Sequence, residues 1–310
     1  MRTVSLGNSS LVSSRLAYGC WRIAGKEADA DCQARGRKAV IAAYEAGYTL
    51  FDHADIYGQG RAETIFGQVL KEVCGMRDRV LLASKCGIRP GGDPVADASY
   101  RYDFSAEHII RSCEGSLNRL GVERIDLYQL HRPDYLMCPE QVAEVFSTLK
   151  RSGKVREFGV SNFRPSQVAA LQKACPMRLV VHQVEISLAN RTHLDDGTLD
   201  QCLAEGMTPL AWSPLAGGLL GNGAHRLLPL QEAYRTEAMV TALDKIAQAR
   251  GVGRTAVALA WLLKHPSQIV PIVGSTEPAR IREAVSADTM DLSREEWYGL
   301  LEAARGDRLP

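Results

Sequence analysis

Short apolar runs recur along the 310-residue chain, and between them apolar positions return with a helical period. The runs at 16–19, 48–53, 80–85, 125–131, 158–161, 179–185, 208–212 and 269–273 show little alternation of polar and apolar residues. That is the pattern of parallel strands covered by helices. Amphipathic stripes fall between them: Ile65, Phe66, Val69, Leu70 and Val73; Ile109, Ile110, Cys113, Leu117 and Leu120; Val142, Val145, Phe146 and Leu149; Met239, Val240, Leu243 and Ile246. Ser293 with Glu296 forms a capping box ahead of Trp297, Leu300 and Leu301 and predicts an extra C-terminal helix. Gly7 and Asn8 suit the turn of an N-terminal β-hairpin. Eight strand–helix repeats without a linker-like shift in composition predict an α/β fold, one closed (β/α)8 TIM barrel forming a single domain over residues 1–310.

Two connections are long. Residues 89–104 carry Gly91, Gly92 and Pro94, then Tyr100 and Tyr102, and residues 215–234 are rich in glycine. Loops of that length in a compact domain are usually functional or mobile. The uncharged run 206–225 is as long as a membrane span, but Pro209, Pro214, Gly217, Gly218, Gly221 and Gly223 break it into a strand and a loop.

Composition narrows the function classes. A net charge of +1 gives no reason to expect nucleic acid or an anionic membrane as partner. The eight Cys residues show no Cys-x-x-Cys spacing; with Cys20, Cys74, Cys86 and Cys113 in or beside apolar segments, they read as reduced, mostly buried thiols of a cytoplasmic protein. No signal peptide is evident, no metal is expected, and without heptads or exposed edge strands a monomer is expected.

The chemistry concentrates at strand ends. In a parallel barrel the C-terminal ends of the strands share one mouth. Asp52, Lys85 and His131 close the second, third and fourth runs, and Tyr57 lies one loop beyond Asp52. Each alone has a bland reading: a capping carboxylate, a loop aromatic, a boundary histidine. An ammonium at the end of an apolar strand needs a partner, and the four together suit proton donation to a carbonyl. Phenol titrates near about 10, and a nearby Lys cation is expected to lower that value. Asp52 would hold Lys85 protonated, and His131 would orient the carbonyl. No side chain can supply a hydride, so a nicotinamide cofactor is required. No Gly-x-Gly-x-x-Gly opens a βα unit, which disfavours a Rossmann domain.

These residues resemble the aldo-keto reductase superfamily, and the likeness runs nearly from end to end. It is carried by residues 51–58, by 84–87 around Lys85, by Leu130, His131, Arg132, Pro133 and Asp134, and by 153–163. His53, Ala54 and Asp55, with residues 196–200, are most like its bacterial YdhF-like branch of general oxidoreductases. The resemblance implies that Asp52, Tyr57, Lys85 and His131 are a catalytic tetrad. It implies that Ser161, Asn162 and Gln183 bind the nicotinamide carboxamide and that Trp212 stacks on its ring. Ser213, Leu215, Gly217 and Gly218 would meet the pyrophosphate. Ser275 and Arg280, with Gly274, Thr276 and Glu283 in the same segment, would hold the adenosine 2′-phosphate, favouring NADPH over NADH. Two departures stand out: Gly274 where many relatives have Lys or Arg nearby, and Ala284 where many have Asn. The first leaves Arg280 as the main phosphate clamp.

The function expected is NADPH-dependent reduction of a small-molecule aldehyde or ketone. Pocket walls are expected from Trp21, Ile56, Tyr100, Tyr102 and Tyr135, an aromatic, uncharged lining that favours apolar carbonyls over charged sugars. Two alternatives stay open: an NADPH-binding sensor or regulatory protein, and a Schiff-base lyase using Lys85.

Overall fold

The computed structural model describes residues 1–25, 27, 29–222, 231 and 234–309. Twelve strands are found among them: β1 (Thr3–Ser5), β2 (Val12–Ser14), β3 (Ala17–Gly19), β4 (Leu50–Asp52), β5 (Leu81–Cys86), β6 (Ile88–Arg89), β7 (Arg101–Tyr102), β8 (Ile125–Leu130), β9 (Val155–Ser161), β10 (Leu179–Glu185), β11 (Thr208–Trp212) and β12 (Val270–Val273). β3, β4, β5, β8, β9, β10, β11 and β12 close in that order into a barrel, with β12 paired to β3 and every pair parallel. This is the expected TIM barrel. Ala17, Leu50, Ala83, Leu127, Val181, Leu210, Val270 and Ile272 belong to one buried cluster with the N-terminal Leu6 and Leu11.

Each predicted run lies on a barrel strand, with shifted ends. The run at 48–53 shortens to β4 because Tyr48 still belongs to the turn closing the preceding helix: its N–H donates to the Ala43 carbonyl (3.1 Å). β9 begins earlier than the apolar pattern suggests, because Arg156 and Glu157 hide its start. Their charges pair with the buried Asp126 (3.1 Å) and with Lys150 (2.8 Å).

The helices carry the predicted stripes. In Arg61–Glu72, Ile65, Phe66 and Val69 are buried, and so is Glu63, which accepts from Ser84 Oγ (2.6 Å) and Arg119 Nε (2.7 Å). The C-terminal helix Arg294–Arg305 starts on the predicted capping box. It is pinned by Trp297, stacked on Trp261 at 5.0 Å, each indole N–H donating to the other residue's carbonyl.

The N-terminal hairpin of β1 and β2 forms as expected. Gly7 has φ +55°, and a Cβ there would lie 2.5 Å from the Val180 carbonyl, so both backbone conformation and close approach demand glycine. Its N–H donates to Thr208 Oγ1 (2.8 Å), tying the hairpin to β11.

The long connection at 89–104 carries structure of its own. β6 and β7 pair as an antiparallel hairpin, braced by Arg89 between Asp93 (2.7 Å) and Asp103 (2.9 Å). Of the connection at 215–234, residues 223–230, 232 and 233, including Gly223 and His225, lie outside the described residues. All eight cysteines are unpaired; Cys74, expected to be buried, is exposed, as is Cys138. Among the described residues no helix is long and apolar enough to cross a membrane.

Candidate active site

The barrel brings the sequence-predicted residues to one rim. Asp52 ends β4, Lys85 is the penultimate residue of β5, His131 follows β8, Ser161 ends β9, Gln183 lies within β10, Trp212 ends β11 and Gly274 follows β12. The loop after β4 doubles back, with Asp55 N–H donating to the Lys85 carbonyl (3.0 Å) and Tyr57 N–H to that of Ala54 (3.1 Å). This carries the Tyr57 hydroxyl to Lys85.

Lys85 is completely buried, and its ammonium has three acceptors. Nζ donates to Asp52 Oδ2 at 2.7 Å, to the His53 carbonyl at 2.8 Å and to the Tyr57 hydroxyl at 3.1 Å. Asp52 Oδ1 accepts from Gln183 Nε2 at 2.9 Å. The network continues along the rim. Ser161 Oγ donates to the Gln183 carbonyl (2.9 Å), Asn162 Nδ2 donates to Ser161 Oγ (2.8 Å) and to the His131 carbonyl (3.1 Å), and Trp212 Nε1 donates to Asn162 Oδ1 (3.0 Å).

Burial and charge oppose each other in these groups. Burial works against the Lys85 cation, but Asp52 and then Tyr57 outweigh it, and the ammonium titrates above the ordinary lysine value. For Tyr57 the balance reverses the expectation. Loss of solvent raises the phenol, and the pull of Lys85 offsets this only in part, so its pKa lies above 10.0. His131 is pushed well below the usual imidazole value by burial, then by the cations Lys85 and Arg132. It is neutral at pH 7 and keeps a single N–H donor. Its ring meets that of Tyr57 edge-on at 5.8 Å.

These groups open on a cavity of about 500 Å³. Asp52, Tyr57 and His131 line it, with Lys85 behind them. So do Ser161, Asn162, Gln183, Trp212, Ser213, Leu215, Gly217 and Gly218, and, from the segment after β12, Gly274, Ser275, Thr276 and Arg280. Glu283 does not line it; its carboxylate accepts from Asn222 Nδ2 (3.4 Å). Of the expected pocket walls, Trp21, Ile56 and Tyr100 line the cavity. Tyr102 does not, and packs edge-on against Tyr100 at 5.9 Å. Tyr135 is 80% exposed and lies outside it. Nor is the lining uncharged. Arg22, Arg132 and Arg280 contribute to it, and the Arg132 guanidinium sits 5.6 Å from the centre of the Trp212 ring.

The cavity wall fits a nicotinamide dinucleotide. Ser161, Asn162 and Gln183 offer amide and hydroxyl groups beside a flat indole. Ala216, Gly217 and Gly218 have φ of +49°, +69° and +108°. The Ala216 and Gly218 amides already donate to the Ser213 (2.8 Å) and Leu215 (2.9 Å) carbonyls, so what the turn offers a phosphate is close approach to backbone that carries no side chain at Gly217 and Gly218.

The sequence pattern of the aldo/keto reductase family matches residues 15–304. The chain belongs to that family. Among curated relatives it is 42% identical to the 6-dehydroglucose reductase of Novosphingobium aromaticivorans, over 98% of this chain and 96% of the relative. It is 40% identical to the oxidoreductase YdhF of Escherichia coli, over 96% and 95%. Among solved structures it superposes on a glycerol dehydrogenase of Gluconobacter oxydans with a TM-score of 0.86 at 27% identity, covering 99% of this chain and 97% of that one. This aldo/keto reductase is therefore an oxidoreductase of a family that uses nicotinamide cofactors and acts on small-molecule carbonyls.

Sequence reasoning about this aldo/keto reductase missed several lining residues. Arg132 carried a signal in its place beside His131 at a strand end. Asn222 and Thr255 come from a loop and a helix start with no motif to mark them. Arg22 carried none, since it meets the last barrel strand across 252 residues of sequence.

Proposed function

We propose that the protein is an NADPH-dependent carbonyl reductase in which Tyr57 donates the proton to the carbonyl oxygen. The observation that carries this reading is the Lys85 ammonium, fully buried and within hydrogen-bond reach of both Asp52 and Tyr57 in the cavity wall. A nicotinamide dinucleotide bound along Ser161, Asn162, Gln183, Trp212 and the 213–218 turn would supply the hydride. Asp52 keeps Lys85 charged, and Lys85 stabilises the phenolate left after proton transfer. His131, neutral, donates its N–H to the same oxygen and orients it. Gln183 holds Asp52 in place from the other side. Burial of Tyr57 keeps it a phenol at neutral pH, the form that reduction needs.

Ser275 and Arg280 support the phosphorylated cofactor, because a guanidinium pairs well with a phosphate monoester. The substrate class follows the lining. Arg132, which follows His131 and lies over the Trp212 ring in the same cavity, favours a hydroxylated aldehyde over a purely apolar one. The names of the relatives from Novosphingobium aromaticivorans and Agrobacterium fabrum, both 6-dehydroglucose reductases, point the same way. The Schiff-base alternative needs a neutral amine, and Asp52 holds Lys85 in the opposite state.

The test is steady-state reduction of a panel of sugar aldehydes and simple alkyl aldehydes with NADPH and with NADH. Turnover of sugar aldehydes with NADPH at the higher kcat/KM is expected. Tight NADPH binding without turnover of any carbonyl would replace the enzyme with a sensor.

A further inference from the structure

The residue after His131 is a cation without a counter-charge. Arg132 is half-buried in the cavity wall. Among the described residues its guanidinium makes no hydrogen bond and no ion pair; what it meets is the Trp212 ring, 5.6 Å from its centre. Arg89 in the β6–β7 hairpin shows the ordinary arrangement, held between Asp93 (2.7 Å) and Asp103 (2.9 Å). Asp134, the acid nearest to Arg132 in sequence, is occupied by backbone. Its Oδ2 accepts from the Phe104 N–H and its Oδ1 from the Leu136 N–H, both at 2.9 Å. Two acids line the cavity, and neither pairs with Arg132. Asp52 is bound to Lys85, and Glu277 lies in the segment of Arg280 after β12.

The backbone that carries Arg132 is fixed on both sides. The His131 N–H donates to the Cys86 carbonyl (2.9 Å), the His131 carbonyl accepts from Asn162 Nδ2 (3.1 Å), and Asp134 ties the turn that follows. The charge acts at the end of the cavity where Tyr57 and His131 lie. After burial and Lys85, it helps to push down the His131 imidazole, and it opposes the rise that burial and Tyr102 impose on Tyr100. A cation drawn partly out of water is unfavourable until it meets an anion. A guanidinium is a planar fork that gives two parallel N–H bonds to a carboxylate or a phosphate.

We infer that Arg132 is a specificity-determining residue that receives an oxyanion carried by the substrate away from its carbonyl. This rests on the carbonyl-reductase reading above, and narrows its hydroxylated aldehydes to those bearing a carboxylate or a phosphate ester.

Matched aldehydes test it through kcat/KM with NADPH: succinate semialdehyde against butanal, adipate semialdehyde against hexanal, and glyceraldehyde 3-phosphate against glyceraldehyde. Wild type is expected to favour the charged member of a pair about tenfold. R132M should lose that preference through KM rather than kcat, and R132K should recover part of it. Loss in the semialdehyde pairs assigns a carboxylate, loss in the glyceraldehyde pair a phosphate ester, and either supports the inference. Neutral members favoured by wild type in every pair overturn it, as do equal ratios in R132M and wild type. Weaker calorimetric binding of NADPH by R132M with unchanged ratios gives the charge to the cofactor, and also overturns it. If R132M melts early, R132Q is read against the same threshold. If wild type reduces none of the six aldehydes, the carbonyl reading falls, and Arg132 is judged by calorimetry with succinate and glycerol 3-phosphate. Weaker binding of either by R132M than by wild type supports the inference, and equal binding of both overturns it.

Discussion

Two parts of the cavity wall are built differently. On the side of Asp52, Lys85 and Gln183 the groups sit on paired strands, are buried, and bond at 2.7–3.1 Å. On the side of Gly274, Ser275 and Arg280 they sit on a connection and the short helix Pro278–Ala284, and guanidinium contacts there include 3.1 Å from Arg280 to the Asn222 carbonyl and 3.4 Å from Arg22 to the Gly274 carbonyl. At the strand ends the barrel fixes where each atom lies. Beyond β12 placement depends on how far long side chains reach. A rigid side suits proton transfer, where small displacements are costly. A side built from long cationic side chains suits holding a charged, distal part of a ligand.

The largest effect expected is on the rigid side. Y57F should lower the reductase kcat by about 10²–10⁴-fold, with NADPH affinity in calorimetry unchanged. Wild-type kcat in Y57F would remove the proton donor and with it the contrast.

K85M leaves the Asp52 carboxylate buried with Gln183 alone. It should cost about 3–5 kcal/mol in urea denaturation, and K85M/D52N should regain part of that loss. Equal stabilities of the single and double variants would show that the pair is not coupled.

Asp55 sharpens the comparison, because it is a carboxyl near the tetrad for which Ser112 and Arg119 do not offset burial. Burial, then the nearby Glu63, raises its pKa to about 7 from 3.8. The native state then holds a proton that the unfolded chain has released, so this group's contribution to stability falls as pH rises from 3.8 towards 7. D55N should be more stable than wild type at pH 8, by an amount on the order of 2 kcal/mol, and should lack that slope in melts across pH. A parallel slope in D55N would remove Asp55 as its source.

On the adaptable side, R280M should raise the Kd for NADPH about tenfold and leave NADH nearly unchanged. Equal loss for both cofactors would move Arg280 away from the 2′-phosphate. The smallest effect is expected from Trp21, 37% exposed at the cavity wall. W21A should shift KM for the better aldehydes by a few-fold with kcat kept, and an unchanged KM would take the ring out of substrate contact.

The same division explains what the chain revealed before it was folded. Parallel strands leave long apolar runs, and a polar residue that interrupts such a run at its end is conspicuous; Asp52, Lys85 and His131 were legible for that reason. The start of β9 at Val155 was hidden by two charged residues, Arg156 and Glu157, which pair with Asp126 and Lys150. Tyr135 misled because an aromatic next to a motif reads the same whether it faces a cavity or solvent. The direction of the Tyr57 shift depends on how far burial outweighs a neighbouring cation, and residue types alone do not weigh the two. Arg22 was invisible because nothing local records a reach from the first barrel strand to the last.

The Gln183 amide has a further consequence. It grips the same carboxylate that balances the Lys85 charge. A guest that draws this amide away leaves the Asp52 carboxylate with Lys85 as its described side-chain donor, and so loosens the seat of the ammonium from a distance. Filling the cavity and unsettling the charge behind it are thereby one event.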